Sequence, residues 1–204
     1  MAFKLDLTNI AYLTFRLFPI ILPTYFILFS IFSQDIKGLI YLAGLLIACL
    51  LALLAGNTLH EIDFLKPWLQ GSTSADPTCN QITLTGTSPI SKVPLSQAIY
   101  AYTLAYFLTI MITHSHQNLV SQNIPTILFL TILIFSDFVW NVMKKCGTIL
   151  SILISTIFAG CFGIFWAYII IKSGAAQLQY FNGLSNRAYC TRPSTQTFKC
   201  STAR

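Results

Sequence analysis

The chain has 204 residues, of which 55% are hydrophobic and only 9% charged, and its mean hydropathy is +0.69. An average soluble domain is roughly 25% charged, so this composition cannot clothe a water-soluble surface and the chain belongs in a bilayer. Nor does the formal net charge of +6 point to nucleic acid, because the basic residues are scattered through connecting segments and the tail with no dense Lys/Arg run.

In chain order, the amino terminus MAFKLDLTNIAYLTFRLFPIILPTYFILF carries one early Lys and an apolar stretch longer than the core of a cleaved signal. No small-x-small site clearly follows it, so it reads as a retained first span. Five stretches reach or approach the roughly 20 apolar residues that cross a bilayer. The first is expected at 10–32 and the second, after the polar turn SQDIKG, at 39–55. Residues 56–94 form the longest connection. Its start, NTLHEIDFLKPWLQ, alternates enough to lie as a short helix along the interface, and GSTSADPTCNQITLTGTSPISKVP reads as an exposed loop.

The third span is expected at 96–113, with Pro94 in the first turn and Ser96 helping to cap it. HSHQNLVSQN then joins it to a fourth span at 125–142, which Pro125 opens and Lys144 and Lys145 stop. The fifth, at 148–171, ends at Lys172. The expected fold is an all-α integral membrane protein of about five transmembrane helices, a count of four to six satisfying the same pattern. Residues 1–172 make the membrane domain and 173–204 a polar, basic tail. No internal repeat of the transporter kind is evident.

Five crossings put the termini on opposite faces. Lys4, Lys66, Lys92, Lys144 and Lys145 fall on the amino-terminal face, against Lys37, Lys172, Arg187, Arg192, Lys199 and Arg204 opposite. That balance is nearly even; Lys4 and the twin lysine tip the expectation towards a cytosolic amino terminus.

Six cysteines are present, with neither a CxxC pair nor zinc-type Cys/His spacing. Cys49 and Cys161 lie inside expected spans, as small core hydrophobes. Cys190 and Cys200 bound a polar loop containing Pro193; in an oxidising lumen they can form a disulfide worth about 2 to 3 kcal/mol, and in a cytosolic tail they are free thiols. Cys79 sits on the face opposite the tail and is not their partner.

Asp137, in SDFVWN, places a carboxylate inside the fourth span, where an ionised acid facing lipid is costly. Arg16 in the first span is its natural counter-charge. Such a pair glues helices together or, alternatively, lines an ion path. HEID at 60–63 lacks the second His of a zincin helix, since position 64 is Phe64, and His114 and His116 point to different helix faces, so no metal is expected. Arg192 and Pro193 lack the preceding Lys and the PSGH of a lipid phosphatase. No GxSxG, glycine-rich phosphate loop or paired carboxylate site occurs. No catalytic residue, cofactor or enzyme activity is therefore expected, a lipid-modifying enzyme around HEID and His114 being the weakest alternative.

The segment SPISKVPLSQAIYAYTLAYF and the tail CTRPSTQTFKC, taken with the several spans, resemble small multi-spanning membrane proteins of large icosahedral double-stranded DNA viruses. The resemblance implies residence in the virion's internal membrane, or in the host endoplasmic reticulum membrane from which it is made, and contact with minor capsid proteins. It supplies no catalytic residues. The function expected is structural: a viral membrane protein that anchors or organises that bilayer through capsid or other membrane proteins, or as a homo-oligomer, with Arg192 and Lys199 as partner contacts. The alternative is a small transporter or channel using Asp137 and Arg16.

Overall fold

The computed structural model describes residues 7–32, 36–64, 93–113, 119–143, 145–173, 189–191 and 199–201, and side chains within 17–173 except that of His60. The elements are α1 (Leu7–Phe32), α2 (Lys37–Glu61), α3 (Leu95–Thr113), the single turn α4 (Leu119–Gln122), α5 (Ile124–Met143), α6 (Ile149–Lys172), β1 (Tyr189–Thr191) and β2 (Lys199–Ser201). Four of them, α2, α3, α5 and α6, are long and apolar enough to cross a membrane, and the apolar stretch Leu17–Phe32 of α1 is shorter.

The third helix is the hub, packing against α1, α2, α4, α5 and α6. Between two helices in lipid there is no water to expel, so close backbone approach must supply the attraction. Small residues permit it. Along α6, Ser151, Ser155, Ala159, Gly163 and Ala167 recur at every fourth position and are all buried. A Cβ at Gly163 would stand 2.7 Å from the Tyr102 carbonyl oxygen, so this strip lies directly on the backbone of α3.

A second contact is aromatic. The Tyr41 ring on α2 lies 4.8 Å from Phe26, 5.4 Å from Tyr106 and 5.5 Å from Tyr102, centroid to centroid. Its hydroxyl meets Thr103 Oγ1 at 2.6 Å, Tyr102 OH donates to the Tyr41 carbonyl at 3.2 Å, and Trp166 Nε1 donates to the Ile40 carbonyl at 3.2 Å. The start of α2 is thereby fixed to both α3 and α6.

The outer surface is apolar: Leu46, Leu50 and Leu54 on α2, Leu128, Ile132 and Phe135 on α5, and Ile157, Phe158 and Phe165 on α6 are exposed. So continuous an apolar exterior suits acyl chains rather than water. Threonines on it return their hydroxyl protons to their own helix: Thr24 to Ile20 O at 2.7 Å, Thr58 to Leu54 O at 2.9 Å and Thr131 to Ile127 O at 2.8 Å. No polar hydrogen is then left facing hydrocarbon at those positions.

Three boundaries differ from the sequence expectation. The second helix runs past residue 55 to Glu61, so NTLHE continues the span instead of starting a separate interfacial helix. Gly56 does not break it, because its bare face receives Val93, which a Cβ would meet at 2.6 Å. Part of the connection after the third span is helical, since Asn123 Nδ2 donates to Leu119 O at 2.8 Å and its carbonyl accepts from Ile127 N at 3.1 Å, joining α4 to α5. Thr148 lies outside the last helix as its cap, its hydroxyl accepting from Ser151 N at 3.2 Å.

Candidate functional site

Apart from Ser30 and Thr103, the buried polar groups of the described helices gather where α3 and α6 begin and α5 ends. Asp137 on α5 is only 3% exposed, and its Oδ2 accepts from Ser96 Oγ at 2.8 Å. Ser96 is therefore not spent on capping α3: it sits inside the first turn and turns its hydroxyl onto the neighbouring helix. One residue on, Gln97 Nε2 donates to the Ile134 carbonyl at 3.0 Å, a second link from α3 to α5. Ser155 Oγ donates to the Pro94 carbonyl at 2.9 Å and ties α6 to the entry of α3. Asn141 Nδ2 returns to the Asp137 carbonyl at 2.7 Å, and the Asn141 carbonyl accepts from Cys146 N at 2.9 Å.

These bonds are of the kind that join helices in lipid, each worth about 0.6 kcal/mol on average because partners are also found when the helices separate. Two polar atoms depart from the pattern. Gln97 Oε1 and Tyr100 OH are buried and have no hydrogen-bond partner among the described residues. Tyr100 also lies within electrostatic reach of Asp137.

Asp137 is thus where the sequence expected an intramembrane acid, and its described partner is Ser96. The Arg16 side chain lies outside the described residues, as do His114, His116, Cys79, Arg192 and the side chain of His60. Among the described residues no group of three His, Cys, Asp or Glu side chains could hold a metal ion. Two grooves open on the lipid-facing surface. One of about 490 Å³ between α2 and α6 is lined by residues such as Leu54, Phe158 and Phe165, and one of about 320 Å³ beside α1 by residues such as Phe18, Phe26 and Phe129.

In the tail, β1 and β2 pair antiparallel, with Cys190 opposite Cys200 and Thr191 opposite Lys199. This backbone pairing is an element that the sequence analysis does not anticipate. The turn between α5 and α6 holds another feature it passed over. Cys146 is disulfide-bonded, and the residue before it, Lys145, adopts φ 54°. With Cys146 N reaching back five residues to Asn141 O, the turn closes α5 with a left-handed cap of the type usually given to glycine.

Four apolar spanning-length helices, three of them packed on the fourth, α3, with an apolar exterior, define a helical integral membrane protein. No family model, curated protein or solved structure matches the chain.

Proposed function

We propose that this protein is a structural membrane module that anchors or organises a bilayer by holding neighbouring proteins, in keeping with the resemblance to membrane proteins of large DNA viruses. The observation that carries this reading is where the polar groups go. Ser96, Gln97, Asp137, Asn141 and Ser155 are spent on bonds within the bundle, and the two grooves described are apolar and face lipid. A scaffold needs helices locked together; a transporter needs polar groups left for cargo.

The contact element is the tail hairpin, whose paired backbone lowers the ordering cost of binding. Arg192, the residue after β1 in sequence, and Lys199 in β2 supply charge for an acidic capsid or membrane protein. The double substitution Arg192→Glu and Lys199→Glu is expected to reduce recovery of cross-linked neighbours several-fold while the chain still resists carbonate extraction. Unchanged recovery would remove the tail from the account.

One observation favours a second reading, a small transporter or channel: among the described residues Gln97 Oε1 and Tyr100 OH are unsatisfied, and Tyr100 lies within electrostatic reach of Asp137, as the lining of a hydrated site would be.

A further inference from the structure

We propose that an ordered water molecule is bound in the seam between α3 and α5, donating to Gln97 Oε1 and to the Asp137 carboxylate and accepting from the Tyr100 hydroxyl. Gln97 and Tyr100 are fully buried, and neither Gln97 Oε1 nor Tyr100 OH has a hydrogen-bond partner among the described residues. Turning the Gln97 amide over does not remove the difficulty. Its Nε2 donates to the Ile134 carbonyl at 3.0 Å, and an oxygen in that place would face another oxygen. The two atoms have complementary needs, since Oε1 can only accept and the Tyr100 hydroxyl has a proton to give.

Helical geometry aims both at one place. Gln97 and Tyr100 are one turn apart on α3, and Ile134, Asp137 and Asn141 share one face of α5. Long side chains lean toward the amino end of their helix, so the Tyr100 hydroxyl reaches back over the turn that carries Ser96 and Gln97. Ser96 Oγ donates to Asp137 Oδ2 at 2.8 Å from that turn, and Tyr100 lies within electrostatic reach of the same carboxylate. A carboxylate accepts about four hydrogen bonds, so the one from Ser96 does not exhaust it.

Water suits this set because it gives two protons and takes one, making about the three bonds usual for a buried water. A cation bound to the Tyr100 oxygen would turn the hydroxyl proton away, where no acceptor stands among the described residues. Towards the middle of the bilayer the seam turns apolar. The buried α5 residues there are Leu133 and Leu130, and the Phe18 ring stands 6.4 Å from that of Tyr100 and 5.5 Å from that of Phe129. Water bound here thus bridges α3 to α5 beside the direct links from Ser96 and Gln97. The inference depends on neither functional reading above: a scaffold uses the water as a bridge, and a path would have to extend it.

The test is X-ray radiolytic labelling of the full chain in lipid nanodiscs, in which hydroxyl radicals formed from bound water oxidise the adjacent side chain, read by mass spectrometry of a digest. Tyr100 is expected to take up oxygen several-fold more than Tyr41 and Tyr102, which are as deeply buried and whose hydroxyls bond to protein. Equal labelling of the three would overturn the proposal. Stability supplies an independent sign. Tyr100→Phe keeps the ring, so losing a water-bonded hydroxyl should shift the unfolding equilibrium about fivefold towards the unfolded state, whereas removing a dry, unsatisfied one would leave the fold as stable or more so. The latter result would overturn the proposal. So would Tyr100 labelling that vanishes when sodium is replaced by choline, because the occupant would then be a cation.

Discussion

Gly163→Leu is expected to lower stability by about 3 kcal/mol, whereas Gly160→Leu on the same helix stays within about 0.5 kcal/mol of the wild type. The two glycines are one turn apart and their surroundings are opposite. At Gly163 an added Cβ would meet the Tyr102 carbonyl oxygen at 2.7 Å and Tyr102 Cα and Ala105 Cβ at 3.3 Å, and at Gly160 it would meet nothing within 4 Å. Backbone cannot rotate away as a long side chain can, so the leucine at 163 must push α3 and α6 apart. Equilibrium unfolding in mixed micelles, followed by tryptophan fluorescence, measures both variants. Equal losses would mean that the α3–α6 strip is not the tight contact described.

Tyr41→Ala should cost a similar amount, about 3 kcal/mol, and Tyr41→Phe about 1 kcal/mol. The Tyr41 ring touches Phe26, Tyr102, Tyr106 and Phe107, so truncation leaves a hole lined by aromatic rings. In lipid no water-transfer term is at stake. What is lost is contact between ring atoms that acyl chains cannot replace inside the bundle. Phenylalanine keeps the ring and loses the 2.6 Å bond to Thr103. The same unfolding measurement separates the two, and a Phe variant as weak as the Ala variant would place the stabilisation in the hydroxyl instead.

Sequence reading succeeds here where the medium decides and fails where helix rotation decides. Hydropathy finds α2, α3, α5 and α6 to within a few residues at most ends, because length and apolarity are what a bilayer demands. It ends α2 too early at Gly56, since a composition shift cannot reveal that Val93 packs into the gap left by the missing side chain. It identifies Asp137 as the costly acid, and its pairing with Arg16 falls on a side chain outside the described residues. The partner described, Ser96, becomes visible only once α3 and α5 have a relative rotation.

The same limit hides the packing strip. In a soluble helix the buried face is the apolar one, but here the lipid face is apolar too, so hydrophobic periodicity says little. The readable pattern was one of size: Ser151, Ser155, Ala159, Gly163 and Ala167, spaced by four. Nothing in KKCGT marks Cys146 beside the more conspicuous Cys190 and Cys200.

The central claim is that the polar interior holds helices together and conducts nothing. It is tested most directly by sodium and proton flux into sealed vesicles reconstituted with the wild type and with Asp137→Asn. The account predicts that both relax an imposed gradient no faster than protein-free vesicles. Flux above that background in the wild type, abolished by Asp137→Asn, would contradict it and make the unsatisfied Gln97 and Tyr100 atoms part of a path.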